Sequence, residues 1–62
     1  MNELESKTFQ PIEKIMKLLT ANKIYFTYCY DYKEEVYCIQ YDEIDSESIL
    51  DELETIAIRY KL

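Results

Sequence analysis

The sequence predicts a small α+β domain, because a central stretch typical of strands lies between two segments with helical periodicity. Residues 23–32 read KIYFTYCYDY and residues 35–41 read EVYCIQY, both rich in aromatic and β-branched residues. On either side, apolar residues recur every three or four positions. We therefore expect one domain, residues 1–62, in the order α-β-β-α. Both helices should pack on one face of an antiparallel β-hairpin.

The first helix is predicted from Thr8 to Asn22. Asn22 should stop it, because asparagine tolerates the left-handed conformation that ends many helices. Upstream, Asn2 and Glu5 have the spacing of a capping box, so a helical turn or two is expected there as well. The apolar stripe of the first helix is Ile12, Ile15, Met16 and Leu19.

The hairpin needs a turn without glycine, and a four-residue loop over residues 31–34 is the simplest solution. That loop pairs residues whose numbers sum to 65. Under this register Cys29 and Cys38 are diagonal neighbours, too far apart for a disulfide, and we expect both to be buried and unreactive. The face expected under the helices carries Ile24, Phe26, Tyr28, Tyr37, Ile39 and Tyr41. The reverse face carries Tyr25, Thr27, Cys29, Val36, Cys38 and Gln40.

The second helix should start at Asp45 or Ser46, either of which is a good N-cap. Its apolar stripe is Ile49, Leu53, Ile56 and Tyr60. Ile58 falls on the opposite side of this helix, with Leu62 nearby, so the stripe does not bury it. Together with the reverse face of the hairpin, these residues are candidates for a contact with a second copy or another partner. The candidate contact residues are Tyr25, Cys29, Val36, Cys38, Ile58 and Leu62.

Negative charge is concentrated in one part of the chain. Residues 31–54 contain ten acids and Lys33 as their one base, whereas the whole chain has a net charge of −6. Between residues 42 and 54 there are seven acids and no base. Such a block can bind a basic groove, as DNA mimics do, or it can simply be a solvated helix face. The candidate partner-binding residues are Asp42, Glu43, Asp45, Glu47, Asp51 and Glu54.

Several functions are disfavoured by what the sequence lacks. Without glycine there is no phosphate-binding loop, and without histidine the commonest general base is missing, so no enzyme is expected. Two cysteines alone, in a chain without histidine, cannot complete a four-ligand zinc site, and no calcium loop fits, so no metal or cofactor is predicted. Scattered lysines argue against nucleic acid as a direct partner. The polar, acidic N-terminus and the short aliphatic runs predict a cytoplasmic protein that does not bind membranes.

A domain of this size buries only about 60% of its unfolded surface, so a homodimer is expected to supplement the core. The leading hypothesis is a small inhibitor or modulator that binds a basic site on a protein, with nucleic-acid-handling proteins as the plausible targets. Phage-type anti-defence proteins and antitoxins are often this small and acidic, which is an analogy from class alone. The alternative is a structural or assembly subunit that docks through its tyrosine-rich hairpin.

Overall fold

The computed structural model describes residues 2–62 and shows three strands and two helices in the order β-α-β-β-α. The strands are β1 (Asn2–Ser6), β2 (Phe26–Asp31) and β3 (Val36–Tyr41). The helices are α1 (Phe9–Ala21) and α2 (Glu47–Tyr60). The strands form one antiparallel sheet in the order β1-β3-β2. The predicted α+β class is therefore confirmed.

The N-terminal segment is a strand, so the helical turn predicted there and the order α-β-β-α are wrong. Leu4 lies opposite Ile39 on β3, and its side chain is partly buried against the core. Glu3 and Glu5 point the other way and are exposed. A single apolar residue is too weak a signal to predict a strand from sequence, because the pairing partner lies more than thirty positions away. β1 and β2 flank β3 and are joined through α1, which makes a split β-α-β unit.

The β2–β3 hairpin has a four-residue loop as predicted, but the loop is residues 32–35 and the predicted register is wrong. The numbers of paired residues sum to 67, so that Tyr28 lies opposite Ile39. The cause is Asp31, whose Oδ1 accepts hydrogen bonds from the backbone N–H of Lys33 (2.9 Å) and of Glu34 (3.2 Å). This Asx-type turn keeps Asp31 within the strand. Each residue is paired two positions away from its predicted partner, so every side chain stays on the face predicted for it.

The core lies between the two helices and one face of the sheet. Ile12, Ile15 and Leu19 of α1 are completely buried, as the predicted stripe requires. Across from them, β3 contributes Ile39, which is also completely buried. The remaining members of the buried cluster are Tyr41, Ile44 and Leu53. Within residues 2–62 no helix lies over the other face of the sheet, which we call the open face. Its residues are exposed apart from those at the centre and at the hairpin end.

α1 ends where the sequence predicted, but the left-handed residue follows Asn22 instead of being Asn22. Lys23 has φ 57°, while Asn22 is the C-cap with φ −106°. The backbone N–H of Lys23 donates to the carbonyl of Thr20 (3.2 Å), and that of Ile24 donates to Leu19 (2.9 Å). These two bonds are the pattern of a Schellman motif, in which the left-handed position usually holds glycine.

α2 begins at the predicted N-cap, Ser46, whose Oγ accepts a hydrogen bond from the backbone N–H of Ile49. Leu53 is its most buried residue, and Ile49 and Ile56 are partly buried against the core. The helix ends at Lys61, which again takes the left-handed conformation, with φ 58°. The predicted apolar stripe of α2 is therefore confirmed.

Candidate functional site

The segment between β3 and α2 is held by one buried side chain with acids on either side of it. Ile44 is only 9% exposed and belongs to the core cluster, a position that the sequence did not single out. Its neighbours Glu43 and Asp45 are exposed. The backbone N–H of Asp42 donates to the carbonyl of Tyr25 (3.1 Å), so the segment leaves the sheet in a defined direction. The backbone that carries the carboxylates on either side of Ile44 is therefore held in place by the core and by this hydrogen bond.

α2 carries a straight row of side chains on the side that faces away from the core. Glu47, Asp51 and Glu54 are one helical turn apart and are all exposed. The next position of the same row is Ile58, which is 69% exposed. We call these four residues the α2 row. It extends over roughly 16 Å of helix, because each residue adds about 1.5 Å. Three negative charges thus lead to one exposed apolar side chain.

All six of the predicted partner-binding residues lie at the surface of the linker or of α2. They form two groups, one in the linker and one on the helix, with no lysine or arginine between them in the chain. Whether they bind a partner stays a prediction. The six residues, all exposed, are Asp42, Glu43, Asp45, Glu47, Asp51 and Glu54.

The predicted contact residues do not form one surface. Ile58 lies on the outer side of α2. Cys29 is exposed on the open face of the sheet, and Tyr25 is exposed beside this face. Cys38 is 5% exposed and has little surface to offer a partner. Leu62 and Val36 do come close, because both line a groove between the end of β1 and the end of α2.

Five aromatic rings form a cluster at the hairpin end of the helix-covered face, a feature that the sequence did not predict. Tyr37 is at its centre, with ring centroids 4.9 Å from Tyr30 and 5.4 Å from Phe9. Tyr28 stacks beside Tyr37 at 6.5 Å, and Tyr32 meets Tyr30 edge-on at 5.0 Å. Removal from water raises the pKa of Tyr28 and of Tyr30. Tyr28 and Tyr32 are nevertheless 43% and 85% exposed, because α1 begins only at Phe9.

The open face of the sheet brings the two cysteines together. Cys29 lies directly opposite Cys38, so the diagonal placement predicted from sequence is wrong. Cys29 is also exposed, contrary to the expected burial, while the burial of Cys38 is confirmed. The thiol of Cys38 donates a hydrogen bond to Glu5 Oε2 (3.5 Å). Burial, followed by the contact with Glu5, raises the pKa of Cys38 to about 12.

Comparison with known protein families, with curated proteins and with solved structures gave no match. The function must therefore be inferred from the surfaces described above. Neither helix within residues 2–62 has the length and apolar character needed to cross a lipid bilayer.

Proposed function

We propose that the protein is a small non-enzymatic modulator that binds a basic site on another protein through the α2 row and the acidic linker before it. The observation that carries this proposal is the α2 row itself, in which Glu47, Asp51 and Glu54 are exposed along one side of a helix. A merely solvated helix face normally mixes the two signs of charge, and this one does not. Proteins that handle nucleic acids are the favoured targets, because their binding grooves are basic.

The two kinds of residue in the α2 row would do different work in such a complex. Carboxylates speed encounter with a basic surface and set the orientation of docking, and this effect falls as salt rises. Ile58, at the C-terminal end of the row, would instead supply apolar area to the contact. Complete burial of an isoleucine side chain is worth about 1.5–3 kcal/mol. We therefore assign recognition and association rate to the acids, and residence time to Ile58.

Binding is proposed rather than catalysis because two residue types that are common in enzyme sites are missing from the sequence. The sequence has no histidine to act as a general base near neutral pH and no glycine for a phosphate-binding loop. The acids of the linker and of α2 are all exposed to solvent, as a surface that binds a partner requires.

We further propose that two copies associate along the outer edge of β2. Copies with a net charge of −6 repel one another, so an interface must use a surface of low charge. In a dimer paired along β1, Glu3 and Glu5 of one copy would lie close to the same two residues of the other copy. β2 has no charged residue from Phe26 to Tyr30, and edge strands without charge are prone to pair with another strand. A second copy of β2 is therefore the favoured occupant of this edge.

The test of the proposed function is a pair of matched charge reversals. Asp51→Lys with Glu54→Lys changes the α2 row, and Glu34→Lys with Glu35→Lys makes the same change in net charge at the hairpin loop. Partners are captured from the native host at low salt, identified, purified, and titrated with each variant at several salt concentrations. We expect the α2 variant to lose binding, the loop variant to keep most of it, and duplex DNA to compete with the wild type for the partner. Equal binding by both variants would rule out the α2 row as the site.

The alternative function, a subunit that docks through its tyrosine-rich hairpin, is favoured by one observation, the exposed aromatic cluster. Tyrosine rings offer large contact area with little loss of conformational freedom, so exposed rings such as Tyr28 and Tyr32 suit an interface. On this alternative the affinity is nearly independent of salt. Tyr25→Ala or Tyr32→Ala then weakens binding more than the charge reversals on α2 do.

A further inference from the structure

The open face of the sheet brings together four side chains with metal-binding atoms from all three strands. The pairing register aligns Glu5 of β1, Cys38 of β3 and Cys29 of β2 in one row across the sheet. Glu3 lies two positions before Glu5, so its side chain points to the same face. No helix in the described part of the chain covers this face, and Glu3, Glu5 and Cys29 are exposed, so an ion could reach the row from solvent.

The spacing of these side chains is close to that of a metal-binding site. Ligand atoms of Glu3, Glu5 and Cys38 all lie within 4.8 Å of one another. Four ligands around a tetrahedral zinc ion are separated by roughly 3.3–3.8 Å, which follows from bond lengths of about 2.0–2.3 Å. A contraction of about 1 Å, within the reach of carboxylate rotamers, would bring these three ligand atoms to that spacing. Gln40 Nε2 donates to Glu3 Oε2 (3.1 Å), which restricts the Glu3 carboxylate to this face.

We infer that Cys29, Cys38, Glu5 and Glu3 form a binding site for a borderline divalent cation of the zinc type. Two sulfur and two oxygen donors suit zinc or cadmium, whereas magnesium and calcium require oxygen ligands throughout. Cys29 lies directly opposite Cys38 on the neighbouring strand, so its exposed thiol has only to turn towards the other three ligands to become the fourth. The site does not depend on the α2 row or on the function proposed for it.

Such an ion would tie the three strands together. Because β1, β2 and β3 each contribute a ligand, an ion bound to the folded sheet stabilises it by mass action. That is one of the usual ways in which domains with a small core reach adequate stability. Metal binds the thiolate form of cysteine, so binding releases thiol protons and the affinity should rise with pH.

The test is a cadmium titration of the reduced full-length chain, followed by the ultraviolet absorption of cadmium bound to thiolate. We expect one ion per chain, with proton release and a rise in the unfolding temperature when Zn²⁺ is added in a parallel experiment. Cys29→Ser should remove about half of the absorption, because one of the two thiolates is lost. Glu5→Gln should weaken binding by roughly tenfold or more, because an anionic ligand becomes a neutral amide.

Glu13→Gln is the matched control, since it makes the same chemical change at an exposed acid on α1. It should bind cadmium as the wild type does. Both Glu5 and Cys29 are exposed, so their variants are expected to fold, which circular dichroism verifies. The inference is overturned by an absence of saturable binding at micromolar metal, or by equal affinities of Glu5→Gln and the wild type.

Discussion

Two lysines occupy backbone positions where helices usually place glycine. Lys23 and Lys61 have φ 57° and φ 58°, in a chain without any glycine. A left-handed conformation costs a residue with a Cβ roughly 1–2 kcal/mol, and part of this cost is removed by glycine. The loss of entropy on ordering glycine offsets about 0.5–1 kcal/mol of the gain.

Lys23→Gly is therefore expected to stabilise the fold by up to about 1 kcal/mol. The measurement is the midpoint of urea unfolding followed by circular dichroism. Lys17→Gly is the matched control, because Lys17 is an exposed residue inside α1. It should destabilise the protein by about 1 kcal/mol, the usual cost of glycine in a helix interior. If Lys23→Gly destabilises the protein as much as Lys17→Gly, the conformation assigned to residue 23 is wrong.

At the scale of elements, β1 is the strand that the sequence did not predict, and its contact with the core can be tested by mutation. Leu4 is the one side chain by which β1 reaches the core cluster. Leu4→Ala is expected to destabilise the protein by roughly 1–2 kcal/mol, below the cost at a fully buried leucine. Glu3→Ala, on the same strand but on the open face, should change the stability by about 0.5 kcal/mol or less. Equal effects of the two changes would contradict the strand.

Local patterns were sufficient for the elements that have their own periodicity. The stripe from Ile12 to Leu19 and the cap at Ser46 predicted both helices to within a residue or two. The hairpin was also evident, but its register depended on hydrogen bonds to the Asp31 side chain that composition does not show. Because β1 is defined by its partner on β3, the sequence did not reveal it. The carboxylates beside Cys38 were missed for the same reason.

The candidate surfaces also divide into those set by one helix, which the sequence predicted, and those built from several elements, which it did not. Exposure of the acids on α2 and of Ile58 was predictable, because helical spacing alone places them away from the stripe. The aromatic cluster was not, since it depends on how far α1 covers the sheet. Phe9 contacts both Tyr28 and Tyr37, which belong to different strands. Features built from residues of several elements could therefore be identified only from the structure.

At the scale of the whole molecule, the charge of −6 sets two opposite responses to salt. Salt screens the repulsion between identical copies, so self-association along β2 should strengthen as salt rises. Binding to a basic partner should weaken over the same range, because the same screening removes attraction. Sedimentation velocity at low and at physiological salt measures the first response, and titration with the partner measures the second.

Thr27→Asp gives the sharpest test of the β2 edge. Thr27 is exposed on β2, and a charge at this position would face its copy or lie near it across the proposed interface. We expect this variant to be monomeric at concentrations where the wild type is dimeric, because charged residues on an edge strand oppose pairing. Thr55→Asp adds the same charge at an exposed position of α2 and should leave self-association unchanged. A wild-type protein that stays monomeric at micromolar concentration in both salts would show that the small core is stable without a second copy.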